Sequence, residues 1–417
     1  MIHYDKRILD NGLTVVAEQD TTTNMCAVNV LYKVGSRDEE ADRTGFAHLF
    51  EHLMFCGTHQ VPDFDTPLQN AGGENNAFTN TDYTNFYDLV PAKNIEVALW
   101  LEADRMMGLD INQKSLSVQQ KVVIEEFKEV CLNKPYGDSW HHLAALAYQD
   151  HAYSWPTIGK NIDHIANAHL SEVRSFYDHH YHPSNAILTV SGPLAVDSVF
   201  RLAEKWFGKI KVDSYSVSKP SVDVNQEEER FTGVDADVPS PLFLLGYHMP
   251  GRNSQAYYAC DLLSDVLANG KSSRFYTSLI RGKQLFSSLD CYVTGTFEPG
   301  LIIIEGRPMP GVSIQEALEA VQHEIQTVVD DPPADRELQK VKNKVISSLA
   351  ISDLNVLNKA ISMAYFEWLD SLDLMNQQER LYEQVTAEDI VDMTRSYLRA
   401  SNRSIVEYRP TAEVSAV

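Results

Sequence analysis

Each half of the 417-residue chain ends in the same pattern, a capped helix followed by a short polar turn and an extended run. The first copy has a candidate cap at Ser171 and an extended run at 185–191, and the second has them at Thr386 and at 403–408. The same elements in the same order indicate two copies of one α/β unit. Two helix-to-strand units can also resemble each other by chance.

The length of the chain predicts more than one domain. A chain of 417 residues is too long for a single compact core and fits two domains of roughly 200 residues each. A polar, acidic stretch at 212–230 interrupts the periodicity and is interpreted as a linker between domains at 1–211 and 231–417. Helical and strand signals alternate, so the expected class is α+β, with two similar domains that each pack helices on a mainly antiparallel sheet.

The charge of the chain excludes several classes of partner. A net charge of −23 argues against nucleic acid and against an anionic membrane surface, since both require a basic face. No apolar run approaches the roughly 18 residues that span a bilayer. The 5 cysteines include no Cys-x-x-Cys pair and the N-terminus lacks an apolar signal segment, so a cytoplasmic location is expected. An exported form that has lost its signal is the alternative.

The segment "TGFAHLFEHLMF" at 44–55 sets three ionisable residues into an apolar helical pattern. At about 100° per residue, His48, Glu51 and His52 fall within one arc of the helix, while its apolar residues cover the opposite side. Histidines four residues apart can direct their ring nitrogens at one metal ion, and Glu51 lies close enough to hold a water. The alternative is a pair of core histidines with a paired glutamate. Burying such a triad without a metal is costly, which favours a metal site.

A third ligand is expected from the helical pattern "SVQQKVVIEEFKEVCL". Glu126 has Val122 and Val130 four residues away on either side, which places it within an apolar face. Glu125 has charged residues at the same offsets and should face solvent. A buried carboxylate needs a partner, and a cation supplies one. The alternative is an ion pair between Glu126 and an Arg or Lys elsewhere.

The segment "GGENNAFTNTDYTNFYDLV" predicts a strand beside this centre. Gly72 and Gly73 end a helical stretch, and the run from Glu74 to Thr79 reads as a short extended strand. A sheet edge next to a metal can pair its backbone with a peptide. The alternative is an ordinary hairpin edge with a solvated Asn76.

These residues resemble the pitrilysin/insulinase family of zinc peptidases, whose motif is His-x-x-Glu-His with a glutamate ligand on a later helix. "GFAHLFEHLMFCGT" is similar to the family's metal helix, "AGGENNAFTNTDYTNFY" to its substrate-binding segment and "VVIEEFKEV" to its third-ligand helix. The resemblance implies that His48, His52 and Glu126 bind one zinc ion and that Glu51 is the catalytic base.

The resemblance also implies a fold and a substrate site. Family members arrange two similar α/β domains as one half-shell of a peptidase chamber. Asn76 and Ala77 match the family's substrate strand, and Arg281 matches an arginine that reaches the scissile peptide. Two positions depart from the pattern. Ser287 stands where the family has a tyrosine, and Gln119 stands where it often has a second glutamate.

The expected function is therefore that of a zinc endopeptidase acting on unfolded peptides or flexible protein segments. Because Ser287 replaces the expected tyrosine, the chain is expected to work as a dimer. One form is a self-paired dimer that uses another residue such as Tyr292, and the favoured form pairs with a different chain that supplies the Arg/Tyr pair. The alternative to an enzyme is a catalytically silent subunit of the same fold.

Overall fold

The computed structural model describes residues 1–211 and 226–411, which form two compact units. Neither unit is one continuous stretch of sequence. The first comprises the described residues of Met1–Phe127, Trp155–Pro220 and Leu349–Gln377, and the second comprises those of Lys128–Ser154, Ser221–Ser348 and Gln378–Val417. Each packs helices on a mainly antiparallel sheet, so the predicted fold class is confirmed.

The first unit is built on a six-stranded sheet of the described residues with the order β1-β2-β6-β3-β5-β4. Its strands are β1 (Tyr4–Ile8), β2 (Thr14–Gln19), β3 (Met25–Tyr32), β4 (Glu74–Thr79), β5 (Thr84–Pro91) and β6 (Ala186–Gly192). β2 and β6 run parallel, and the other pairs are antiparallel. β4 is therefore an edge strand, with the bounds that the sequence predicts.

Helices cover both faces of this sheet. They are α1 (Phe46–Leu53), α2 (Asp65–Asn70), α3 (Ile95–Met107), α4 (Gln113–Phe127), α6 (Ile162–Ala166), α7 (Leu170–His180), α8 (Val196–Phe207) and α12 (Val356–Trp368). The central strand β3 shows why both faces must be covered, because Val28 and Val30 pack into the main core while Leu31 packs on the side of α12. The predicted cap at Ser171 is wrong, since α7 begins at Leu170 after His169.

The second unit repeats the same topology. Its described residues form a five-stranded sheet with the order β7-β11-β8-β10-β9. The strands are β7 (Arg230–Ala236), β8 (Leu242–Met249), β9 (Phe286–Val293), β10 (Gly300–Pro308) and β11 (Arg403–Pro410). β7 and β11 are parallel, as are β2 and β6, and the remaining pairs are antiparallel. The matching order and direction of strands support the predicted duplication.

The helices of the second unit complete the fold. They are α5 (Ser139–Ala147), α9 (Ala256–Ala268), α10 (Ile314–Asp330), α11 (Asp335–Ser352), α13 (Gln378–Gln384) and α14 (Ala387–Tyr397), and the boundary between the units falls inside α11. Thr386 caps α14 as predicted, because its hydroxyl accepts a hydrogen bond from the Asp389 N–H. None of the described helices combines the length and apolarity needed to cross a membrane.

The two halves of the sequence exchange one helix each. α12 follows the second sheet's strand β10 in sequence, yet it packs on β3 and β6 of the first sheet. α5 precedes β6 in sequence, yet it packs on β8 and β11 of the second sheet. The predicted domains, 1–211 and 231–417, place α5 in the first domain and α12 in the second, so they differ from the two units of the structure at both helices. Most of the predicted linker, 212–225, lies outside the described residues, and its last residue, Arg230, begins β7.

A buried ion pair network fixes α12 on the first sheet. The Lys359 ammonium lies 2.9 Å from a carboxylate oxygen of Glu18 and 2.6 Å from one of Asp20, and all three side chains are buried. Burial alone would raise the pKa of Asp20, but hydrogen bonds from Lys359 and Thr22 lower it to about 2. The network therefore joins β2 and the residue after it to a helix more than 330 positions later in the sequence.

Replacing Lys359 with alanine should destabilise the first unit. The change leaves two buried carboxylates without their cation, which costs about 3 kcal/mol or more of unfolding free energy. Urea denaturation at neutral pH measures this loss, and the exposed Lys271→Ala serves as the control. The pKa of Asp20 is lower in the folded chain than in the unfolded chain. The ionised Asp20 therefore contributes fully to the free energy of unfolding above its ordinary pKa of about 3.9, and this contribution is lost as the pH falls towards 2. The difference between Lys359→Ala and the parent should shrink over that range, and equal stability at neutral pH would contradict this account.

Candidate metal centre

The helix α1 has an apolar side and a polar side, as its sequence predicts. Phe46, Leu49, Phe50 and Leu53 are buried in the core of the first unit and are at most 3% exposed. His48, Glu51 and His52 lie on the other side and are only partly buried. The Nε2 atoms of the two histidines are 3.4 Å apart. The packing of one side of a short helix therefore holds both rings in place.

Glu126 on α4 lies opposite the two histidines. Its carboxylate oxygens are 3.6 Å from His48 Nε2 and 3.3 Å from His52 Nε2. One potential ligand atom from each of the three residues lies within 4.8 Å of the other two, and no other group of three such residues occurs in the described residues. The structure thus brings together the three residues that the sequence proposes as ligands.

The reason given from sequence for choosing Glu126 is wrong. Val122 and Val130, which suggested an apolar face around Glu126, are 44% and 39% exposed. The buried face of α4 is instead formed by Leu116, Val123 and Phe127. The Glu126 side chain is itself 39% exposed, so its position follows from its contact with the histidines rather than from burial in the core.

The donor set suits a divalent cation. Burial lowers the pKa of His48, with the nearby charges of Glu126 and Glu51 acting in the opposite direction, so the neutral imidazole is favoured by its surroundings. As metal ligands, the two imidazoles and the carboxylate would each direct a lone pair at one shared point, an arrangement that a cation stabilises. Two His and one Glu form a common ligand set of catalytic zinc, which keeps a fourth position for water. The residues present therefore fit zinc.

Glu51 points to the strand β4 from the same helix. The Thr79 hydroxyl donates a hydrogen bond to Glu51 Oε2 at 2.7 Å. Sequence reasoning missed Thr79, although the alternation of side chains in a strand puts it on the same face as Ala77, which the sequence did single out. The Thr79 hydrogen bond fixes one oxygen of the Glu51 carboxylate at the polar side of α1.

The predicted substrate residues lie in the middle of β4. Asn76 and Ala77 pair with Tyr87 and Phe86 of β5. The Ala77 N–H donates to the side-chain oxygen of Asn76 at 2.8 Å. Within the described residues β4 pairs with β5 alone, so its other edge is open to another strand.

Gln119 does not contact the proposed ligands through its amide nitrogen. Its Nε2 lies 3.2 Å from the sulfur of Cys56, which follows α1. The amide supplies no charge where the family often has a second glutamate. Arg281 and Ser287 belong to the second unit, where both are exposed.

Family models match both halves of the chain. Residues 14–161 match the model described as insulinase (peptidase family M16), and residues 167–345 match the model described as the peptidase M16 inactive domain. The chain belongs to the insulinase family of peptidases.

Relatives of this insulinase-family chain carry the names of zinc proteases. The zinc protease PqqE of Helicobacter pylori is 28% identical over 96% of this chain and 92% of its own length. YmxG of Bacillus subtilis, an uncharacterised zinc protease, is 26% identical over 82% of each chain.

Solved structures share the fold over nearly all of this chain. A protease from Helicobacter pylori matches with a TM-score of 0.94 at 26% identity and covers 98% of this chain and 100% of that one. The periplasmic protease PqqL of Escherichia coli matches the fold with a TM-score of 0.81 at 16% identity. This insulinase-family chain covers 47% of PqqL, about half of that longer chain.

The ligand assignment predicts how metal content responds to substitution. The parent should bind about one zinc per chain, and His48→Ala or Glu126→Gln should lower its affinity for zinc by at least about tenfold. Glu125→Gln is the matched control, because Glu125 is the neighbouring carboxylate on α4 and is exposed. Metal analysis after dialysis against a chelator measures the difference. Full occupancy in both ligand variants would show that the metal, if bound, lies elsewhere.

Proposed function

We propose that the chain is a zinc-dependent endopeptidase that hydrolyses peptide bonds in unfolded peptides or flexible protein segments. The observation that carries this proposal is the approach of His48, His52 and Glu126 to one another, with Glu51 held beside them by Thr79. Membership of a peptidase family and the names of the relatives support hydrolysis of peptide bonds.

His48, His52 and Glu126 would hold the zinc ion. Zinc bound there supplies a Lewis acid that lowers the pKa of a water and polarises the peptide carbonyl. The two histidines act as neutral imidazoles, a form that burial favours for His48. Three such groups converge here among the described residues, and a catalytic zinc ion with three protein ligands keeps a further position for water or substrate.

Glu51 is the proposed general base. The carboxylate accepts the proton of the attacking water and then passes it to the leaving amine. Thr79 donates to Oε2 and so fixes the orientation of the carboxylate, which leaves the other oxygen to take the proton. A base held in one orientation speeds the reaction more than a mobile base, because the proton acceptor is already aligned when the water attacks.

The open edge of β4 is the proposed peptide site. A substrate that pairs with β4 must be extended, which is why unfolded or flexible segments are the expected substrates. The Ala77 N–H is bonded to the Asn76 side chain in the free chain, so an incoming peptide carbonyl would replace that side chain as its acceptor. Thr79 belongs to the same strand and links the peptide site to the base.

A catalytically silent subunit is the second candidate. Two observations favour it: the match of residues 167–345 to a model described as an inactive domain, and the serine at position 287. Both concern the later part of the chain. The proposed metal ligands and the proposed base lie in the first unit, which favours the enzyme.

Glu51→Gln should abolish most hydrolysis while zinc remains bound. The amide keeps the size of the side chain but cannot accept the proton, so turnover of a flexible peptide should fall by at least about a hundredfold. Peptide hydrolysis and metal content are measured on the same preparation. Retained turnover would place the base elsewhere, and a zinc-bound parent that cleaves no flexible peptide would favour the silent subunit.

We also propose that a second, different chain completes the active site. Ser287 lies on β9, and its hydroxyl donates to the backbone oxygen of Arg307 at 3.2 Å. A serine side chain is much shorter than a tyrosine phenol and cannot replace its contact with a reacting peptide. The greater length of PqqL, of which this chain covers about half, supports a need for a second half-unit.

The purified chain alone should hydrolyse peptides weakly, and a partner of the same fold that carries the Arg/Tyr pair should raise the rate by at least about tenfold. Assays with and without candidate partners, together with the oligomeric state from light scattering, test this. Tyr292, which is 44% exposed on β9, is the residue that a self-paired dimer would use. Strong hydrolysis by a homodimer that no partner changes and that Tyr292→Phe removes would establish self-pairing instead.

A further inference from the structure

A buried carboxylate sits at the beginning of the helix that carries both histidines. Glu39 is 7% exposed. Its Oε1 accepts a hydrogen bond from the Ala47 N–H at 2.8 Å, and its Oε2 accepts one from the Gly45 N–H at 2.8 Å. The indole N–H of Trp155 is a third donor, 3.2 Å from Oε2. Two backbone donors and one side-chain donor therefore converge on one carboxylate.

These hydrogen bonds replace a cap that α1 lacks. The first N–H groups of a helix have no partner within it, and the residue before the helix commonly supplies a side-chain oxygen. In α1 that residue is Gly45, which has no side chain and adopts a left-handed φ of 89°. Because this helix start is buried, its N–H groups cannot turn to water instead. Glu39 thus serves as a cap from outside the helix.

The capped turn contains a metal-binding residue. α1 begins at Phe46, so His48 is its third residue and directly follows Ala47. His52 lies one turn later and Glu126 on another helix. If the first turn of α1 loosens, His48 moves relative to both of the other groups. Metal affinity depends on ligand positions held to within about 0.5 Å, so such a movement weakens the site.

Burying the Glu39 carboxylate away from water costs free energy. Burial raises the pKa of its carboxyl to about 8, while the hydrogen bonds from Ala47, Gly45 and Trp155 favour the ionised form. For a buried carboxylate, the cost of removing the charge from water offsets much of the free energy gained from its hydrogen bonds. What it provides is two acceptor oxygens, one for the N–H of Gly45 just before α1 and one for the N–H of Ala47 in its first turn.

We propose that Glu39 is a positioning residue of the metal centre, which holds the first turn of α1 so that His48 can share a cation with His52 and Glu126. This inference rests on the proposed zinc site, but it concerns the helix rather than the chemistry. Glu39 is not one of the three proposed ligands, and it acts through the backbone of Gly45 and Ala47.

The test compares two Glu39 variants with two controls in the full chain. Glu39→Asp keeps the charge but shortens the reach, and Glu39→Gln keeps the length but replaces one acceptor oxygen with a donor. Glu40→Gln changes the exposed neighbouring carboxylate. Lys359→Ala destabilises the same unit through an ion pair that does not involve α1. Work at about pH 9 keeps the parent Glu39 ionised.

Two readouts are measured. The Kd for zinc, obtained by competition with a chromophoric chelator, should rise at least about tenfold in both Glu39 variants and stay within about twofold of the parent in both controls. Hydrogen exchange of the metal-free protein should become faster at the amides of Gly45 to His48 in the Glu39 variants only. That second readout requires neither zinc nor activity.

The outcomes separate this inference from the proposed function. Parent-like exchange at the start of α1 in the folded Glu39 variants would overturn the inference, and so would a parent-like Kd. A Kd that rises equally in Lys359→Ala would reduce the effect to general instability and overturn it as well. If the parent binds no zinc, the proposed function fails, and the exchange measurement still decides whether Glu39 holds the helix. If Glu39→Gln does not fold, Glu39→Asp carries the comparison.

Discussion

The proposed metal centre depends on the packing of one side of a short helix. α1 is 8 residues long, too short to be stable on its own, so the burial of its apolar side chains in the first unit is what makes it a helix at all. Once that side is fixed, the 3.6-residue period directs His48, Glu51 and His52 to the opposite side. The positions of these three side chains are thus a consequence of core packing, while the third proposed ligand, Glu126, comes from α4.

Three residues outside this helix contact it or its polar side chains. Glu126 on α4 lies opposite the histidines, Thr79 on β4 donates a hydrogen bond to Glu51, and Glu39 accepts one from the start of the helix. Each contact joins residues far apart in sequence or on different elements. The edge strand that supplies Thr79 is also the strand with an open side, so the proposed base and the proposed peptide site share one element.

Local patterns predicted much of this arrangement, and long-range contacts account for what they missed. The polar stripe of α1 and the bounds of β4 follow from periodicity and from the Gly72-Gly73 break, so both could be predicted. Strand alternation places Thr79 on the face of Ala77, but its hydrogen bond to the Glu51 side chain leaves no local signature. The hydrogen bonds of Glu39 to the backbone of Gly45 and Ala47 leave none either. Glu126 was chosen for an apolar face that is exposed in the structure. The exchange of α5 and α12 escaped prediction because each helix is amphipathic, and the pattern does not show which sheet it covers.

X-ray absorption at the zinc edge of the metal-loaded chain tests the central claim most directly, since it reports which atoms surround the metal. Histidine and carboxylate ligands predict a first shell of nitrogen and oxygen only, at about 2.0–2.2 Å, with the scattering pattern of two imidazoles. The thiol of Cys56, whose sulfur lies 3.7 Å from the backbone oxygen of His52, is the competing ligand. A shell with sulfur at about 2.3 Å, or one without imidazole, would contradict the assignment of His48, His52 and Glu126.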